Sequence, residues 1–272
     1  ILEWTNPQGM TFKRQYAIDD YFMITMRETV SNNSDQRVEI YPYTLISRTI
    51  ADDLFDSSAS AIIHEGPIAY FDEDLHEFSY DDLQTVDEDD IQMGQKISEP
   101  TVIEDASTDG WMGMTGKYWL VSLIPEAGNI GRARFNHTHL DKGRNLYQAD
   151  LLGKKVDLSP GESRQVTNRF YVGAKRLELL NKYEEEHDIP HFDLAIDFGW
   201  FYILTKPLYL FLARIGEFFG SHGVYSPFGL AIIVVTIMVR LLMFPLASKA
   251  FVNMQKMKEI APKLKALKDK HS

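Results

Sequence analysis

Residues 227–246, PFGLAIIVVTIMVRLLMFPL, form a run of twenty residues with one charged member, Arg240. An α-helix rises about 1.5 Å per residue, so about twenty residues match the ~30 Å hydrocarbon core of a bilayer. Inside lipid every backbone N–H and C=O needs an internal partner, so a lone span of this length is expected to be helical. Ser226 is placed to cap the helix and Pro227 suits its first turn. Pro245 removes one hydrogen bond near the far end, where a bend is expected.

Arg240 decides how the span is used. A central arginine costs ~2.5–3.5 kcal/mol on the insertion scale, so such residues face protein or water. Two readings follow. Arg240 lies nine residues before Lys249, about 13 Å by helix rise, which allows snorkelling to the headgroups. The other reading is a polar cavity inside the membrane. Thr236, four residues earlier, shares the face of Arg240.

Charge is distributed unevenly around this span. Residues 1–200 carry 18 basic and 36 acidic residues, a net of −18, and residues 201–272 carry 10 and 3, a net of +7. Seven lysines against Glu259 and Asp269 follow the span. The positive-inside rule places that end in the cytoplasm and the acidic part outside, in the periplasm of a two-membrane bacterium. Lysines that follow a span directly do not point to nucleic acid. With no cysteine in 272 residues, disulfide and thiolate chemistry are excluded. The chain starts at Ile1 without a basic or apolar leader. An exported domain needs one, so a longer parent protein is expected.

Residues 1–173 read as an all-β domain. Period-two runs and turn signals predict strands at 10–18, 21–30, 37–50, 62–71, 118–124, 131–139 and 165–172. Glu126-Ala127-Gly128-Asn129 is expected to turn a hairpin. Many strands with few helices argue for a sandwich of antiparallel sheets. The acidic stretch 72–90 has ten Asp/Glu, but its spacing is no EF-hand, so a solvated loop is expected rather than a calcium site. His137 and His139 alternate on one strand face without a completing ligand set, and are expected to be ordinary surface histidines. His64 and Glu65 are adjacent, so on a strand they point to opposite faces and form no acid/base pair. No metal, catalytic or cofactor residues are expected, and no nucleophile motif, phosphate loop or dinucleotide fingerprint occurs.

Residues 174–199 read as a short helix, with Leu177 and Leu180 on one side, and a linker. Residues 200–220 are aromatic-rich yet hold Lys206, Arg214 and Glu217. They fit a helix lying in the membrane interface, anchored by Trp200, Tyr202 and Tyr209. A second span paired with the first is the rival reading, against the charge asymmetry. The span itself is placed at 225–247. In residues 248–272, Met254, Met257, Ile260, Leu264 and Leu267 recur at three- and four-residue spacings, a stripe that needs a partner helix.

Three segments carry a resemblance: FDLAIDFGWFYILTKPL, GLAIIVVTIMVRLLMFPL and MQKMKEIAPKLKAL, in that order and spacing. Together they resemble the bacterial branch of the YidC/Oxa/Alb membrane insertase family. GMTFKRQYAIDDYFMITMRETVSNNS and GWMGMTGKYWLVSLIPE are similar to that family's large periplasmic domain. The resemblance implies a galactose-mutarotase-like β-supersandwich serving as a periplasmic domain rather than an enzyme. The interfacial helix, the transmembrane helix and the first arm of a cytoplasmic helical hairpin would follow it. It implies that Arg240, with Thr236, lines a hydrophilic groove that attracts polar parts of an incoming substrate. Implied partners are nascent membrane proteins, the lipid bilayer, Sec translocon components and the ribosome. Implied location is the bacterial inner membrane. The alternative is a membrane-tethered periplasmic protein that binds or converts sugars, which would need neither Arg240 nor the amphipathic stripe.

Overall fold

The computed structural model describes residues 1–51, 64–84, 91–92, 95–96, 101–103, 109–140, 143–199 and 201–271, with backbone alone for 91–92, 95–96, 101–103, 256, 258–259 and 261–271. Its described residues form two compact units, residues 1–197 and 198–272.

The strands of the first unit, in chain order, are β1 (Leu2–Thr5), β2 (Met10–Ile18), β3 (Met23–Asn32), β4 (Val38–Ile40), β5 (Tyr43–Ala51), β6 (Gly66–Phe71), β7 (Asp74–Glu77) and β8 (Ile91–Gln92). They continue with β9 (Gln95–Lys96), β10 (Thr101–Ile103), β11 (Gly110–Thr115), β12 (Trp119–Ile124), β13 (Ile130–Leu140), β14 (Arg144–Gly153), β15 (Val156–Leu158) and β16 (Ser163–Ala174). An eight-stranded sheet runs β1-β2-β3-β16-β12-β11-β6-β7, and a four-stranded sheet runs β10-β13-β14-β5. Ladders within both are antiparallel.

The alternation of side chains across a strand assigns the two faces of the large sheet. Phe71, Met112 and Leu123 point inward, against Phe135, Tyr147 and Leu151 of the smaller sheet. Met23, Tyr70, Trp111, Leu120 and Tyr171 point outward, into a second apolar layer. That layer is closed by helix α1 (Leu177–His187) and a 3-10 turn at Phe192–Ala195. Leu177, Leu180 and Tyr183 of α1 are fully buried there. Trp111 Nε1 donates to the Pro190 carbonyl at 3.0 Å, so the layer's largest side chain leaves no buried donor unpaired. Asp188, with φ 51°, ends α1 in a left-handed C-cap whose N–H bonds the Glu184 carbonyl. The sandwich is thus backed by a third, helical layer.

Several local expectations are corrected. The run 37–50 is two strands that belong to different sheets. β4 pairs with β15 and β5 with β14. Pro42 separates them, since it has no N–H for a ladder, and its carbonyl accepts from Gly153 N at 2.7 Å. Residues 126–129 do form a tight turn, with Asn129 N donating to Glu126 O at 3.1 Å and Gly128 at φ 71°. It is not a hairpin, however, because β12 lies in the large sheet and β13 in the small one. His137 is not on the surface: it is buried, its Nε2 lies 2.9 Å from Asn145 Oδ1, and its ring packs on Tyr147. The run 62–71 yields β6 from Gly66 onward. Residues 85–90 of the acidic stretch lie outside the described residues.

The second unit holds α2 (Tyr202–Ser221) and α3 (Pro227–His271). α2 ends in a turn where Val224 N bonds Phe219 O at 3.1 Å and Gly223 takes φ 75°. α3 is one helix of 45 residues. Pro245 does not interrupt it. A proline removes one donor, and the surrounding apolar and alanine-rich sequence supplies no other stop signal.

Candidate intramembrane site

α3 is the one helix, among the described residues, long and apolar enough to cross a membrane, over Pro227–Gln255. At about 1.5 Å per residue its full 45 residues reach about 67 Å, twice the thickness of a hydrocarbon core. A crossing α3 must therefore project well beyond the bilayer on at least one side.

α2 packs on the first turns of α3. Gly216 is buried on α2, and Ala231 and Val235 are buried on α3. A Cβ at Gly216 would lie 2.7 Å from Cε1 of Phe228. Small residues at a crossing let two helix backbones approach closely. Beyond Val235, the described side chains of α3 have no buried member.

Arg240 lies in that exposed stretch, and among the described residues it forms no hydrogen bond or ion pair. Thr236 is also exposed, one turn earlier on the same face. Its hydroxyl donates to the Ile232 carbonyl at 2.7 Å. The threonine proton is thus spent on its own helix, and toward a visitor its oxygen is an acceptor. The pair offers a permanent guanidinium cation beside a hydroxyl oxygen on an otherwise apolar rod.

The expected anchors fall as follows. Tyr202 is exposed at the start of α2, and Tyr209 lies with its ring 6.1 Å from Phe198. Trp200 lies outside the described residues. Met254, Met257 and Ile260 are exposed on α3, and the side chains of Leu264 and Leu267 lie outside the described residues. One grouping escaped the sequence: Glu184, His191 and Asp193 bring one potential metal-ligand atom each to within 4.8 Å of one another. They come from α1 and the 3-10 turn after it, an arrangement that no linear spacing encodes.

The family model for the YidC periplasmic domain matches residues 1–211. The chain belongs to the YidC family. A second model, described as 60Kd inner membrane protein, matches residues 220–272. Among curated relatives, a membrane protein insertase YidC of Rickettsia africae (strain ESF-5) is 38% identical over 271 residues, covering 100% of this chain and 44% of its own length. The Rickettsia prowazekii (strain Madrid E) protein of the same name is 37% identical over 268 residues, covering 98% and 44%. The chain thus spans less than half the length of the curated relatives it matches. Among solved structures, a galactose mutarotase related enzyme from Lactobacillus acidophilus overlaps 63% of this chain and 66% of its own, with 11% identity and a TM-score of 0.42. That likeness is one of architecture, and no sugar chemistry is carried across with it.

Proposed function

We propose that this chain is part of a membrane protein insertase and chaperone, in which α3 presents Arg240 to incoming polar segments. The observation that carries the reading is Arg240 itself. Among the described residues of this YidC-family chain it is an unpaired, exposed cation on the one helix of span length. A charge at that depth persists where water or a counter-charge solvates it. A transient partner for a translocating carboxylate would lower the barrier to crossing without tight binding. No bond to the client is made or broken, so the work is done by solvation and electrostatics.

The topology proposed for it puts the β-domain in the periplasm and residues 248–272 in the cytoplasm, from the −18 and +7 charge asymmetry. α2, with three charged residues among its aromatics, lies along the outer interface. The stripe at Met254, Met257 and Ile260, exposed here, seats a second helix of the longer protein, as coiled-coil logic requires. Nascent membrane proteins are the clients, with the Sec translocon and the ribosome as working partners.

The test is insertion of one client series, graded in acidic residues of its translocated segment, by full-length protein carrying Arg240→Ala or Arg240→Lys. Lys keeps the charge and loses the planar fork, so it should retain most activity. Ala should impair the most acidic clients first. Equal insertion of every client by all three proteins would reduce Arg240 to a snorkelled side chain.

A further inference from the structure

On the outer face of the large sheet, beside the C-terminal end of α1, lies a cleft of about 400 Å³. Its volume is within the ordinary range of small-ligand sites. Arg27 and Arg169 line it, with Glu126, His187 and Asp188 around them. The sheet register explains the convergence. Arg27 pairs with Thr167, and Arg169 stands two residues further along β16 on the same face. Such diagonal neighbours are separated by about 7–8 Å at the backbone. Ile124, the cross-strand partner of Arg169 on β12, belongs to the apolar layer under α1 and forms the cleft's dry wall.

Two arginines so placed repel one another, and neither forms an ion pair among the described residues. Arg169 is the more telling. Its Nε is buried and has no hydrogen-bond partner. A buried guanidinium N–H without an acceptor costs the desolvation of a charged donor. Burial weakens the hold of Arg169 on its proton, and the neighbouring charge of Arg27 weakens it further, while Glu126 acts the other way. Arginine does not give up its proton under these conditions, so the charge stays and calls for an acceptor.

We infer that the cleft between Arg27 and Arg169 is a binding site for a single carboxylate group. Two guanidinium forks match a planar carboxylate in geometry. A doubly charged phosphate is the poorer match, because Glu126, Asp188 and Asp109 also line the cleft and repel two negative charges more strongly than one. The carboxylate is that of a small acid or of a peptide. This site lies wholly within the first unit, residues 1–197, and does not depend on the role given to Arg240.

The experiment uses the full 272-residue chain in detergent micelles, with the different additions compared at the same ionic strength. The Nε–H resonance of Arg169 is followed while N-acetylglycine, inorganic phosphate or sodium chloride is added. N-acetylglycine should shift it saturably, sodium chloride should not, and phosphate should bind more weakly. A glutamate-containing tetrapeptide and its glutamine twin separate the two sources: tenfold tighter binding of the glutamate peptide than of N-acetylglycine assigns a peptide ligand, and otherwise the ligand is a small acid. Arg27 is exposed, so Arg27→Gln should keep the melting temperature of the parent and bind at least tenfold more weakly, as loss of one charge-assisted pair predicts. An Arg169 resonance that answers to sodium chloride as it does to N-acetylglycine would overturn the site. Undiminished binding in Arg27→Gln would do the same, and tighter binding of phosphate would overturn the choice of carboxylate.

Discussion

The Tyr183 hydroxyl of α1 donates a 2.6 Å hydrogen bond to Asp19 Oδ2, in the turn between β2 and β3. Asp19 Oδ1 at the same time accepts from the backbone N–H groups of Tyr21 and Met23, both at 2.9 Å. One carboxylate thus fixes the turn and clamps the helical layer to it.

This clamp has a pH signature. Partial burial pushes the Asp19 carboxyl up, but the bonds from Tyr183, Met23 and Tyr21 outweigh it and hold the group below its ordinary value. A carboxyl depressed in the folded state stabilises above its unfolded pKa of about 3.9, and that contribution is lost as pH falls through the folded value. Chemical denaturation of the parent should therefore lose stability below about pH 4, and Asp19→Asn should flatten that acid limb. Tyr183→Phe should cost about 1 kcal/mol at pH 7.

Asp150 is a buried carboxylate on β14 held by Arg134 Nε at 2.7 Å, Asn136 Nδ2 at 2.7 Å and Gln148 Nε2 at 2.9 Å. Removing one side of a buried pair strands the other, at about 3–5 kcal/mol. Arg134 retains some access to solvent, so the lower end is expected for Asp150→Ala. Asp150→Asn keeps the shape and should cost less. Equilibrium unfolding of the three proteins checks the order.

Two glycines should respond differently to a methyl group. At Gly113 a Cβ would lie 2.2 Å from the Val121 carbonyl oxygen and 2.9 Å from Ser122 Cα. That is backbone of the partner strand, so Gly113→Ala must push β11 from β12 and should cost about 3 kcal/mol. At Gly216 the obstacle is the Phe228 ring, which is exposed enough to turn away. Gly216→Ala should be tolerated, and Gly216→Leu should part the helices. Since the chain has no cysteine, spin labels at Glu217→Cys and Ile232→Cys report this. Their separation should hold in the Ala variant and grow by about 2 Å or more in the Leu variant, against a normal axis spacing of 8–10 Å.

Where the physics is local, the sequence was readable. β2 is found over the expected residues, since Met10–Ile18 is bounded by a glycine turn and an aspartate turn. The long apolar run of α3 and the buried leucines of α1 were equally plain. β11 was not, although Trp111 anchors the outer layer. GWMGMT is buried on both faces, so it lacks alternation, and its two glycines resemble a loop. The hairpin expected at 126–129 failed because a turn fixes four residues but not which sheet receives the next strand. Arg240 stood out because lipid makes any lone charge conspicuous. The Arg27 and Arg169 pair did not, because it exists only once β3 and β16, 142 residues apart at those positions by number, lie side by side.

The unbroken course of α3 has a mechanical consequence. In a rotation of the whole helix about the α2 turn, each residue moves in proportion to its distance from that turn. Pivoting by ten degrees at the α2 turn, it would sweep its far end through about 12 Å, given a rise of about 1.5 Å per residue over 45 residues. Arg240, roughly a third of the way along, would travel about 3–4 Å in the same motion. In that motion Arg240 and the far end of α3 move together, in the ratio of their distances from the turn.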